Sequence, residues 1–88
     1  MSELCISSLV IQATPDKIST VRKNIKAIPE AELLGEGPFG KLVVLLDTAT
    51  SREAANKISD IQNQDGVLVA NLIFQYDDQI DTQVEDSA

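Results

Sequence analysis

Few side chains in this sequence could do chemistry, and they do not converge. There is no His, so the side chain best suited to proton transfer near neutral pH is missing. Cys5 is the single thiol and has no base to activate it as a nucleophile, so a place in the packing near the start of a strand is expected for it. Ser7 and Ser8 also stand without a partner base. No Gly-rich phosphate loop, metal-ligand cluster or CxxC pair occurs. The carboxylates are scattered over turns, helix starts and the C-terminal stretch, where each has an ordinary solvated or capping role. Asp47 and Asp65, for instance, flank one predicted helix as loop residues. The expectation is a protein that is not an enzyme and needs neither cofactor nor metal. What remains is recognition, and that depends on how the elements present their apolar faces.

Eighty-eight residues make one domain. At 43% hydrophobic and 24% charged the composition is that of an ordinary globular domain. Phe39, Phe74 and Tyr76 are its only aromatics, so the core must be built from Leu, Ile, Val and Ala. No stretch approaches the roughly 20 apolar residues of a membrane span, and membrane insertion is not expected. Met1-Ser2-Glu3-Leu4-Cys5 lacks the features of a secretory signal. With a lone Cys, a reducing cytoplasmic location is the simplest expectation.

The net charge is −7. Five of the acids, Asp77, Asp78, Asp81, Glu85 and Asp86, fall in residues 77–88, which contain no base and no folding pattern. Residues 1–76 are therefore expected to form the domain and 77–88 an acidic, disordered tail. Without a basic stripe or an aromatic stacking platform, no nucleic-acid partner is expected.

The elements follow from periodicity. Residues 4–12 are β-rich and lead into Ala13-Thr14-Pro15-Asp16, a helix start with Thr14 as N-cap and Pro15 in the first position. Ile18, Val21, Ile25 and Ile28 recur at helical spacing until Pro29 ends the run. Residues 30–36 read as a weaker edge strand, joined through the turn Gly37-Pro38-Phe39-Gly40 to Lys41-Leu42-Val43-Val44-Leu45-Leu46-Asp47. Apolar on both faces, the strand from Lys41 to Asp47 belongs in the middle of a sheet. Thr50 and Glu53 form a capping box for a second helix with the stripe Ala54, Ala55, Ile58 and Ile61. Gly66 suits the left-handed position after it, and residues 67–76 form the last strand. The order β-α-β-β-α-β predicts an α+β, ferredoxin-like split sandwich, a four-stranded antiparallel sheet with two helices on one face. Strands one and three then lie in the centre.

The sheet face opposite the helices is the candidate site. Alternation places Ser7, Leu9 and Ile11, then Leu42, Val44 and Leu46, then Ala70, Leu72 and Phe74 towards the helices. The open face then carries Ile6, Ser8, Val10 and Gln12, with Lys41, Val43 and Leu45, and with Val69, Asn71, Ile73 and Gln75. On the last strand a bulge would exchange the two sets. Apolar area with a few polar groups suits a bound peptide. The lesser alternatives are a sheet-to-sheet dimer through the same face and an apolar surface without a role.

Three segments resemble the NapD family: Cys5-Ile6-Ser7-Ser8-Leu9-Val10-Ile11-Gln12-Ala13, Gly40-Lys41-Leu42-Val43-Val44-Leu45-Leu46 and Gly66-Val67-Leu68-Val69-Ala70-Asn71-Leu72-Ile73-Phe74. The resemblance spans residues 5–76 and rests on the joint order and spacing of strand patterns. Ser8, Leu9 and Val10 match the family's Ser-Leu-Val run, and Phe74 stands where the family more often has Tyr. The resemblance implies a ferredoxin-like cytoplasmic chaperone for the catalytic subunit of periplasmic nitrate reductase. Such a chaperone binds the subunit's twin-arginine signal peptide and delays export until the molybdenum cofactor is inserted. For such a partner, Glu32, Glu36 and Asp47 are the candidate rim carboxylates to meet the Arg pair. The expected state is a monomer or weak dimer. The competing reading is a dimeric ligand-sensing module of the same fold, of the ACT type. A metal chaperone of this topology needs a paired thiol motif, and an acylphosphatase-like enzyme needs an anion-cradling loop; the sequence shows neither.

Overall fold

Along the first strand every second side chain is completely shielded from water: Cys5, Ser7, Leu9, Ile11 and Ala13. A computed structural model describes residues 4–77, and in it this alternation runs the length of β1 (Cys5–Ala13). The other elements are α1 (Ile18–Lys26), β2 (Ala31–Gly37), β3 (Lys41–Thr48), α2 (Ser51–Gln62) and β4 (Val67–Asp77). The strands form one sheet in the order β2-β3-β1-β4, every neighbouring pair antiparallel. The expected α+β, ferredoxin-like split sandwich is therefore present, with β1 and β3 central and β2 and β4 at the edges.

One core holds it together. Leu9, Ile11 and Ala13 of β1 and Leu42, Val44 and Leu46 of β3 pack against Val21 and Ile25 of α1 and Ile61 of α2. Both helices thus cover the same sheet face. Each Leu, Ile or Val among them contributes on the order of 1.5–3 kcal/mol by leaving water.

The helix ends match the sequence unevenly. On α2, Thr50 Oγ1 accepts from Glu53 N–H at 3.1 Å, and Glu53 Oε1 accepts from Ala49 N–H at 3.2 Å. The capping box is thus formed, its return bond landing one residue before the cap. Thr14 caps nothing with its side chain. Residues 15–17 form a tighter 3-10 turn closed by Lys17 N–H to Thr14 O at 3.0 Å, and α1 begins only at Ile18. Ala54 and Ile61 are buried on α2, whereas Ala55 is exposed, because it lies about 100° round the helix from Ala54.

Two glycines are required by their backbone. Gly66 (φ +96°) turns α2 into β4, and Gly40 (φ +83°) closes the β2–β3 hairpin. A Cβ at Gly40 would stand 2.3 Å from the carbonyl oxygen of Ala13.

β4 departs most from plain alternation. Its register on β1 shifts between Ser8 and Leu9 and again between Gln12 and Ala13. Phe74 opposes Ser8 and Leu72 opposes Leu9, leaving Ile73 as the extra residue of a bulge. At the second shift Gln62 of α2 satisfies backbone groups directly. Its Oε1 accepts from Ala70 N–H at 2.7 Å, and its Nε2 donates to Leu68 O at 3.3 Å. Asp77, expected to open the tail, is the last residue of β4, buried opposite Cys5. The rest of the expected tail, 78–88, lies outside the described residues.

Candidate functional site: the open face of the sheet

Residues directly opposite one another on antiparallel strands share a face, so the register gives the uncovered surface row by row. Asp47, Ile6 and Tyr76 form the first row, and Leu45, Ser8 and Phe74 the second, with Glu32 beside Leu45. The third holds Val43, Val10 and Asn71, with Gly35 beside Val43; the fourth holds Lys41, Gln12 and Val69, with Gly37 beside Lys41. None of these residues belongs to the core that the helices cover. On the central strands Ile6, Ser8, Val10, Gln12, Val43 and Leu45 are half-buried by their neighbours alone, while Val69, Asn71, Phe74 and Tyr76 of β4 are exposed.

The sequence-predicted face residues on β1 and β3 all lie here, as do Val69 and Asn71. β4 changes at its bulge. Ile73 is the bulged residue itself and is 62% exposed. Phe74, expected to face the helices, lies on the open face opposite Ser8 and is 60% exposed, with Tyr76 two residues further on. The physical reason lies on the covered side. Ser7 is fully buried there, and the bulge brings Gln75, expected on the open face, opposite it on the covered side, so that Gln75 Nε2 donates to Ser7 Oγ at 3.0 Å. A buried hydroxyl without such a partner would cost about 1–3 kcal/mol. Pairing that hydroxyl turns both aromatics of β4 outward.

The rim carboxylates divide in the same way. Glu32 and Asp47 are exposed on the open face. Glu36 opposes Leu42 and so lies on the helix side. There Arg22 of α1 grips it through Nε and through Nη2, the latter at 2.9 Å. Hydrogen bonding to that guanidinium holds the Glu36 carboxyl below its ordinary range. Glu36 is therefore not a rim charge of this face.

Phe39 is a further exposed aromatic, read from sequence as part of a turn. It takes a left-handed backbone conformation (φ 63°, ψ 34°) and is 83% exposed at the hairpin tip. The side chain of Gln12, on the fourth row, donates to its carbonyl oxygen. A bulky side chain in that conformation is uncommon, and no periodicity in the sequence signals it.

Nothing else among the described residues gathers reactive groups. Cys5 is free and buried, its Sγ 3.9 Å from Ser7 Oγ. Among the described residues, no group of three or more His, Cys, Asp or Glu is placed to hold a metal ion, and no helix is long and apolar enough to cross a membrane. The cleft lined by Glu30, Glu53, Asn56, Lys57 and Asp60 lies against α2, with Lys57 Nζ 3.5 Å from Glu30 Oε1. It is polar and apart from the open face.

Comparison with known proteins agrees with this geometry. The proteins called Chaperone NapD from Escherichia coli K12 and Shigella flexneri are each 30% identical to this chain over 70 residues, covering 78% of it and 80% of the relative. The solution structure of the E. coli Tat proofreading chaperone protein NapD superposes with a TM-score of 0.77 at 28% identity, covering 83% of this chain and 78% of that one. The family described as NapD protein matches residues 4–79, and the chain belongs to the NapD family.

Proposed function

We propose that the protein is a cytoplasmic chaperone that binds the twin-arginine signal peptide of the periplasmic nitrate reductase catalytic subunit on the open sheet face. Binding would hold the subunit back from export until its molybdenum cofactor is in place. The observation that carries this reading is the uncovered face itself, apolar through its centre and bordered by Glu32 and Asp47. Membership of a family whose relatives are named chaperones supports it, as does the likeness to a chaperone titled for Tat proofreading. The signal peptide offers what the face lacks, an apolar segment to cover Val10, Val43 and Leu45 and two guanidinium groups for the carboxylates. Burial of apolar area supplies most of the affinity, and the exposed charges supply rate and selectivity.

The test is calorimetric titration with a synthetic nitrate-reductase signal peptide and with the same peptide after both Arg are changed to Gln. One-to-one binding that weakens with the Gln peptide is expected. Equal binding of both would reduce the site to a general apolar groove. No heat from either, from a protein that sediments as a stable dimer, would favour a ligand-sensing module that pairs through the same face.

A further inference from the structure

The open face differs at its two ends. Its acidic side chains, Asp47 and Glu32, stand in the first two rows, and its basic one, Lys41, stands in the fourth. Glu36 is turned to the other side of the sheet and held by Arg22. The carboxylates near the fourth row, Asp16 and Asp65, lie outside the strands, and Asp65 is bound by Lys17 at 2.6 Å. β2 adds a second asymmetry. It places the Glu32 side chain beside Leu45, but only Gly35 beside Val43 and Gly37 beside Lys41. A Cβ built on Gly35 would meet nothing within 4 Å, so the face is open above the backbone there.

We infer that the signal peptide lies on this face in one direction. Its Arg pair sits at the end marked by Asp47, Ile6 and Tyr76, and its apolar segment crosses Leu45, Val43 and Val10 towards Lys41, Gln12 and Val69. The inference rests on the reading of this face as the signal-peptide site and adds the polarity of the bound peptide. Distance permits it. The first and fourth rows are six residues apart along β1, about 20 Å at roughly 3.4 Å per residue, which about 13 residues of helix would span. An Arg pair and the start of its apolar segment fit within that length. The reverse direction would set two guanidinium groups beside Lys41, take them away from both carboxylates, and lay apolar side chains over Asp47 and Glu32. Like charges brought together, with the acids dehydrated and unpaired, oppose that arrangement.

Paramagnetic broadening of amide signals tests the direction. The full-length ¹⁵N-labelled protein is titrated with two versions of the signal peptide, one carrying a nitroxide at the Arg end and one beyond the apolar segment. The Arg-end label is expected to broaden Ile6, Asp47 and Tyr76 most, and the distal label Gln12, Lys41 and Val69. The opposite pattern, or the same pattern from both labels, overturns the polarity while leaving the site intact. Failure of either peptide to bind in calorimetry overturns the reading beneath it, and the polarity falls with it. A variant combining Glu32→Lys, Asp47→Lys and Lys41→Glu, checked for folding by its own amide spectrum, tests the electrostatic cause. It should bind at least tenfold more weakly, through slower association, or bind with the two patterns exchanged. Unchanged affinity and direction would overturn the charge argument.

Discussion

Val43 is the residue on which the proposed site most directly depends. It lies in the third row between Val10 and Gly35, half-buried by its neighbours and uncovered above. A carboxylate there can reach water in the free protein, so Val43→Glu is expected to leave the amide spectrum dispersed and the thermal midpoint little changed. A bound apolar segment would have to dehydrate that charge, which is costly without a partner. Peptide binding should disappear in calorimetry; retained binding by the folded variant would remove this face from consideration. Gly40 makes the opposite case, a residue whose role is wholly structural. Its positive φ and the 2.3 Å approach of a would-be Cβ to Ala13 O leave no room for a side chain. The left-handed conformation alone costs an L-residue roughly 1–2 kcal/mol, and the backbone of β1 would have to move as well. Gly40→Ala should therefore lower the urea unfolding free energy by more than about 2 kcal/mol, and a loss below 0.5 kcal/mol, about the scatter of a neutral surface change, would show that the hairpin relaxes freely.

Among the elements, α2 carries a cap whose contribution can be isolated. Thr50 is the N-cap and its hydroxyl is bound to Glu53 N–H, so Thr50→Ala should cost about 1 kcal/mol in chemical unfolding. An unchanged midpoint would mean that water replaces the bond at no cost. The contact between α1 and β2 should show itself through pH. Arg22 holds the Glu36 carboxyl below its ordinary range, so the ion pair contributes stability fully above the unfolded-state pKa of Glu36. That contribution is lost as pH falls through the lower folded-state value. Wild type and Glu36→Gln should accordingly differ in thermal midpoint at neutral pH and converge in acid; the exposed setting of the pair keeps the gap small. Parallel curves down to low pH would deny the coupling. These contacts also mark what could be read from sequence. β1 and β3 were legible because each alternates about a fixed phase, and α2 because its cap sits in four consecutive residues. The phase of β4 was not legible. Leu68, Val69, Leu72, Ile73 and Phe74 are apolar towards either side, so alternation carries no phase there. What settles it is a partner 68 residues away, the Ser7 hydroxyl that Gln75 must reach. The same locality explains Thr14, which has the residue type of an N-cap but sits before a 3-10 turn that closes through its carbonyl instead.

At the scale of the whole molecule, the described residues leave one sheet face bare and the chain carries a net charge of −7. On the proposed reading, a peptide with two adjacent Arg approaching this protein would be drawn by that overall field before meeting Asp47 or Glu32. The attraction is long-ranged in dilute salt and is cut off as the screening length falls from about 10 Å at 0.1 M to about 3 Å at 1 M. The proposed apolar contact of the peptide with Val10, Val43 and Leu45 would be short-ranged and not weakened by salt. The two contributions should therefore separate kinetically. Over that salt range the association rate constant is expected to fall severalfold while the dissociation rate constant moves little, as stopped-flow mixing with a fluorescent peptide would read. The Gln version of the peptide should associate more slowly at low salt and show a flatter dependence. If the dissociation rate instead rose steeply with salt, the affinity itself would be held by charge pairs at the rim, and the apolar face would be secondary. A salt-independent association rate for both peptides would place the net charge outside recognition altogether.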